Sequence, residues 1–190
     1  ADRVRLRDLG AHTLKLDVQD INDLAGIAWQ LDGEPLDVAL VNAGVYGPRA
    51  STVRQPPSDA EFDLVFRTNV LSAMRLVPVI APLLAPSRGT LAFLSSRMGS
   101  IAEAGASYGT LYRVSKAAVN MVAKLVHVEY APVGVRVLSL HPGWVRTDMG
   151  GPNADVDVTD SVTGLRHVIG SPGAFPGGCF YDYRGQSLAW

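Results

Sequence analysis

Val38-Ala39-Leu40-Val41-Asn42-Ala43-Gly44 is an almost wholly apolar run that ends in one polar and two small residues. A strand apolar at every position is covered on both faces, as in parallel sheets wrapped by helices. Outward from it, the same kind of run recurs at residues 91–95, another strand is expected at residues 135–141, and a last one at residues 179–183. Between these runs, apolar residues return with helical period over residues 21–31, 59–84, 108–130 and 159–169. Residues 2–9 also read as helix, and residues 11–18 as a strand ending in Leu16-Asp17-Val18. Strand and helix alternate throughout, which predicts an α/β fold with a parallel sheet wrapped by helices. Residues 44–57 and 150–158, with their Gly and Pro, read as loops.

The 190 residues are 47% hydrophobic and 18% charged, with a net charge of −1, which suits a single domain with a real core. Basic residues are scattered, so nucleic acid is not the expected partner. The most apolar stretch, residues 76–85, is short for a membrane span and is interrupted by Pro78 and Pro82. The start, Ala1-Asp2-Arg3-Val4-Arg5, lacks the apolar centre of a secretion signal. Cys179 is the single cysteine, which excludes an intrachain disulfide and fits a reducing cytoplasm. It reads as a small buried residue on a strand. His12, His127, His141 and His167 do not fall at ligand spacing, so no metal is expected.

Tyr112 and Lys116 stand four residues apart within a helical pattern and leave one helix face. A lysine ammonium beside a phenol favours the phenolate, so the pair is expected to lower the tyrosine pKa toward working pH and make it a general acid–base. Upstream lie Asn42-Ala43-Gly44, then Thr68-Asn69-Val70, then Ser95-Ser96-Arg97-Met98-Gly99; downstream is His141-Pro142-Gly143-Trp144-Val145-Arg146-Thr147. In this order the segments resemble the short-chain dehydrogenase/reductase family, over about residues 1–190. The flanking residues look most like its C-factor-like and small carbonyl reductase branch.

That resemblance implies a Rossmann-like, doubly wound parallel sheet. It further implies an oxidoreductase that moves a hydride between NAD or NADP and a carbonyl or alcohol carbon. Tyr112 would exchange the proton at the substrate oxygen, and Lys116 would lower its pKa and hold the nicotinamide ribose. Ser96 would bind the carbonyl oxygen as charge develops, with Ser95 and Ser100 as alternatives. The interval from Ser96 to Tyr112 is longer than is common in the family, so residues 101–107 must bulge. Asn69 would sit at a distortion of the long helix and anchor a proton-relaying water. Asn42, Ala43 and Gly44 lie at a strand's carboxyl end, where open α/β sheets bind ligands, and their small side chains admit a ribose. Asp17 and Val18 resemble the adenine contact, although Asp17 serves equally as an acid ahead of a helix. Pro142, Gly143, Val145 and Thr147 match the segment around the carboxamide and pyrophosphate, and Tyr108 reads as a pocket or lid residue.

The glycine-rich turn that receives the pyrophosphate has no counterpart here. In the family it would precede Ala1, together with the first two strands, so the sheet is expected with those strands missing and the chain reads as a fragment or truncated form. The expectation follows that residue 17's strand either pairs directly with that of Asn42 or leaves an unpaired edge, and that these 190 residues alone bind the dinucleotide weakly. A small-molecule substrate, a homodimer and a cytoplasmic location complete the expectations. The alternative is a non-catalytic interaction or signalling protein on the same fold.

Overall fold

The computed structural model describes residues 3–31, 33–49 and 51–190. In chain order the elements are α1 (Arg3–Asp8), α2 (Ile21–Gln30), β1 (Val38–Val41), α3 (Asp59–Phe66), a π-turn (Arg67–Leu71), α4 (Ser72–Leu84), β2 (Thr90–Leu94), α5 (Thr110–Tyr130), β3 (Arg136–His141), α6 (Val158–Gly170), β4 (Cys179–Asp182) and β5 (Ser187–Leu188). One sheet runs in the order β1-β2-β3-β4-β5; the first four strands are parallel and β5 is antiparallel to β4. The expected α/β, doubly wound sheet is therefore present, without the two strands that the resemblance places beyond β1. Residue 2 of the first expected helix lies outside the described residues.

Strand alternation sorts the core into two layers. Leu91, Phe93, Val135 and Val137 face α4 and α5, where Leu76, Leu84, Val119 and Ala123 meet them. Ala92, Leu138 and Leu140 face the other way, onto Leu165 and Val168 of α6. The crossovers β2-α5-β3 and β3-α6-β4 advance in the same direction on opposite faces, so they have opposite hands. Only one of them can follow the usual right-handed rule. Arg136 secures the exceptional helix by donating to Val168 O, Ile169 O and Phe175 O near its end.

Local chemistry sets the helix boundaries. Ser58 and Glu61 form a reciprocal capping box at the start of α3, and Asp20 caps α2 by accepting from Asn22 N at 2.8 Å. Pro78 and Pro82 do not interrupt α4. Buried Leu76, Ala81 and Leu84 hold it on the sheet despite the lost backbone bonds. The run Asp59–Leu84 is long and apolar enough to cross a membrane, yet it lies against the sheet with much of its surface buried.

The strand expected at residues 11–18 does not form. A strand is held by ladder bonds to a neighbour, and this segment is tied only locally: Asp17 N donates to Asp23 Oδ2 at 2.8 Å and Gln19 N to Asp17 Oδ1 at 2.9 Å. Leu16 joins the core while Leu14 stays exposed. Among the described residues nothing pairs with the outer edge of β1. Val38 and Leu40, on the face of β1 away from α4, are 49% and 46% exposed.

Candidate active site

The carboxyl ends of β1, β2 and β3 bring most of the expected residues together. Tyr112 and Lys116 are one turn apart on the buried face of α5. Ser96 follows β2 and caps a short 3-10 turn, Arg97–Gly99, its hydroxyl accepting from Met98 N at 3.2 Å. That turn lies directly on α5: a Cβ at Gly99 would stand 2.6 Å from the Lys116 carbonyl carbon. Glycine here sets the distance between Ser96 and Tyr112. Asn120 ties the layers further, accepting from Ser139 Oγ at 2.6 Å and donating to Gly99 O at 3.4 Å.

Ser96 stands close enough to the Tyr112 phenol to lower its pKa, and Tyr112 is only 8% exposed. Burial pushes its pKa up to about 12; Ser96 lowers it less than burial raises it, and neighbouring Tyr46 adds to the rise. This reverses the expected lowering by Lys116. The reason is geometric, because the ammonium stands 5.7 Å from the Tyr112 ring centroid and donates to Leu94 O at 2.8 Å. Burial in turn pulls Lys116 down to about 8. Helical spacing gave the proximity of the pair but not the loss of water around each group.

Asn69 does lie at a helix distortion, within the π-turn. Its amide accepts from Val45 N at 2.8 Å and donates to Val45 O and to Ser115 Oγ, both at 2.9 Å. It thus joins the loop after β1 to α5 at the residue preceding Lys116. Ser95 Oγ donates to Lys116 O at 3.3 Å and Ser100 Oγ accepts from Glu103 N at 3.1 Å, so both alternatives to Ser96 have structural partners. The expected bulge over residues 101–107 is present as an exposed loop.

Gly44 offers a cradle for a bound group: a Cβ there would meet Asn69 Oδ1 and Lys116 Nζ at 3.4 Å each. Lys116 has N–H donors beyond the one spent on Leu94 O, so Gly44 and Lys116 could together hold a bound hydroxyl group. Pro142 O accepts from Ser161 Oγ at 2.6 Å and Gly143 takes a φ of 87°, turning the chain at the end of β3. Val145 bridges Val156, and Thr147 Oγ1 accepts from Gly150 N at 3.2 Å. Arg146 is spent on Asp157 at 2.9 Å. Asp17 and Val18 lie ahead of α2, where the Asp17 carboxylate accepts from Gln19 N.

Two features escaped the sequence reading. Tyr46 stacks on Tyr112, and its only signal was its place just after Asn42-Ala43-Gly44. His141 pairs in register with buried Asp182, which Arg97 approaches at 3.6 Å. Burial, aided by Arg97, pushes the His141 imidazole down to about 4.

A family model described as enoyl-(acyl carrier protein) reductase matches residues 3–173. C-signal of Myxococcus xanthus is 37% identical over 159 residues, covering 82% of this chain and 93% of that protein. Cyclopentanol dehydrogenase of Comamonas testosteroni is 33% identical over 142 residues, 73% of this chain and 54% of the enzyme, so the chain spans about half of that relative. Among solved structures, a carbonyl reductase from Pseudomonas aeruginosa PAO1 in complex with NADP superposes with a TM-score of 0.83 at 30% identity, covering 99% of this chain and 82% of that one.

Proposed function

Because the chain belongs to the short-chain dehydrogenase/reductase family, we propose that it is an NAD(P)-dependent oxidoreductase acting on a small carbonyl or alcohol, with Tyr112 as the proton-exchanging residue. The observation that carries the reading is the buried pair Tyr112 and Lys116, one helical turn apart on α5, with Ser96 beside the phenol at the carboxyl ends of parallel strands. NAD(P), when bound, supplies or takes up the hydride.

A carbonyl oxygen seated between Ser96 and Tyr112 would accept from both hydroxyls as negative charge develops on it. Tyr112 then gives its proton to that oxygen. A phenol whose pKa is about 12 is protonated at neutral pH, so Tyr112 can act there as the proton donor to a carbonyl oxygen. Lys116, Asn42, Ala43 and Gly44 would hold the ribose end of the cofactor, and Pro142, Gly143, Val145 and Thr147 the nicotinamide end. Asn69 fixes the loop that carries Gly44. The lone cysteine, Cys179, suits a reducing cytoplasm, and exposed Met121, Leu125 and Val128 along α5 suit a homodimer.

The test is Tyr112→Phe, assayed by carbonyl-dependent oxidation of NADPH and by NADPH binding. The rate should fall at least about 100-fold, in the range for a lost general acid, with cofactor affinity within a few-fold of the parent. A rate close to the parent's would remove Tyr112 from the chemistry. A second reading, a non-catalytic signalling protein, is favoured by the similarity to C-signal. It predicts an output that survives both Tyr112→Phe and Lys116→Met.

A further inference from the structure

Tyr46 belongs to none of the segments that carry the proposed reaction, yet it touches the reacting tyrosine. Its ring lies flat on that of Tyr112, with centroids 4.5 Å apart and planes inclined by 19°. The Arg49 guanidinium stands 5.2 Å from the Tyr46 centroid; with Tyr112 against one face of the ring, Arg49 takes the other. Arg49 Nη2 also donates to Met149 O at 2.7 Å, so the same side chain ties the loop after β1 to the loop after β3.

The rest of Tyr46 is held too. Its hydroxyl is 3.9 Å from Met98 Sδ and occupies a notch left by Gly109, where a Cβ would come within 2.5 Å of the oxygen. Gly109, with a φ of 63°, is the residue from which α5 starts. Beneath the ring, Val45 exchanges both backbone bonds with the Asn69 amide. A loop side chain restrained at its backbone, its hydroxyl and both faces is a built part of the site. Tyr112 needs such a partner: α5 fixes its Cα, which leaves the plane of the ring to whatever packs on its face.

We propose that Tyr46 is a positioning residue of the reaction: clamped between Arg49 and Tyr112, it fixes the plane of the Tyr112 ring, keeps water from that face and holds the phenol hydroxyl beside Ser96. The proposal rests on the reductase reading above. The groups facing Tyr112 are Ser96 at the hydroxyl, Lys116 from its own helix and Tyr46 from the loop; Arg49, Arg113 and Tyr108 act on Tyr46 in turn. Burial raises the Tyr112 pKa and the stacked Tyr46 ring supplies part of that cover, so removing the ring moves that pKa down.

Three variants of the full chain test this: Tyr46→Ala, Tyr46→Phe and Arg49→Ala. An aromatic stack is worth enough that Tyr46→Ala should lower kcat for carbonyl reduction by about tenfold, leave KM for NADPH unchanged and shift the alkaline limb of the pH–rate profile to lower pH. Tyr46→Phe should restore both, because the clamp needs the ring and not the hydroxyl. Nitration of Tyr112 by tetranitromethane, mapped by peptide mass spectrometry, reads the same clamp without turnover. It should be several-fold faster in Tyr46→Ala, where the Tyr112 ring has lost its cover, and parent-like in Tyr46→Phe. Arg49 is exposed, so Arg49→Ala keeps the fold and should give a smaller change of the same sign; if Tyr46→Ala fails to fold, nitration of Arg49→Ala at the parent rate overturns the clamp. Carbonyl reduction in the parent, with kcat, pH profile and nitration all unchanged in Tyr46→Ala, overturns the clamp and leaves the reductase reading. A parent that reduces no carbonyl but shows the nitration pattern overturns the reductase reading, and with it any catalytic role for Tyr46.

Discussion

Replacing Lys116 with Met should stabilise the fold while removing its activity. Lys116 is 5% exposed, and its ammonium donates to one backbone oxygen, that of Leu94. Among the described residues no carboxylate forms an ion pair with it. Burial lowers its pKa from 10.5 to about 8, a displacement that costs the folded state about 3 kcal/mol whenever the group is charged. Met has nearly the same length and no charge. It leaves Leu94 O unpaired, at a cost of about 1 kcal/mol, so the net gain at neutral pH is about 2 kcal/mol. The pH dependence carries the same information. With the folded pKa near 8 and the unfolded one at 10.5, the unfolded chain binds more protons across that interval. Stability of the parent should therefore gain about 3 kcal/mol from this group as pH rises through it. The variant lacks that gain. Urea unfolding followed by tryptophan fluorescence, at neutral pH and at steps across the interval, measures both effects. A less stable Lys116→Met at neutral pH, or a parent and variant whose stabilities run parallel with pH, would refute the reasoning.

Gly99→Ala should cost about 1–3 kcal/mol in a urea melt, the usual range for overpacking, because its Cβ would stand 2.6 Å from the Lys116 carbonyl carbon and 2.8 Å from Ala117 N. Carbonyl reduction should fall with it as Ser96 is pushed away from Tyr112; a parent-like melt would show that the turn has slack. His141→Gln should flatten the acid side of the stability profile. Burial holds the His141 pKa at about 4 against 6.5 when unfolded, so the parent keeps this stability above pH 6.5 and loses it as pH falls toward 4. Thermal melts across that window should show the parent losing about 2–3 kcal/mol more than the variant, and parallel curves would place His141 in water.

Strands β1, β2 and β3 were legible to within a residue because each is a short apolar run closed by turn residues, a signal contained in the run itself. Residues 11–18 carried a similar pattern and formed no strand, since a ladder needs a neighbour and no local pattern supplies one. Ser187–Leu188 was invisible for the opposite reason. Two residues carry no periodicity, and β5 exists because Asp182 Oδ1 accepts from Arg184 N and Gln186 N, both at 2.9 Å, and turns the chain back. At the candidate site, Ser96, Tyr112, Lys116 and Asn69 could be read from ordered motifs. The stack of Tyr46 on Tyr112 could not, because it joins residues from distant segments. The upward pKa of Tyr112 was misread because spacing along a helix reports distance and says nothing about solvent.

Asn69 meets Val45 and Ser115 only because the helix from Asp59 to Leu84 is wound with a wide turn at Arg67–Leu71. Deleting one residue of that turn would let the helix close into regular winding, because a π-turn absorbs one extra residue while the helix on either side keeps its face. Val65 would stay buried, and what would be lost is the bulge that aims the Asn69 amide at Val45 and Ser115. The chain thus tolerates length changes unequally. The exposed loop at residues 101–107 can gain or lose residues as loop tips do, whereas between Ser58 and Leu84 the residue count itself is under constraint, and a gap there would mark a sequence that has given up this site.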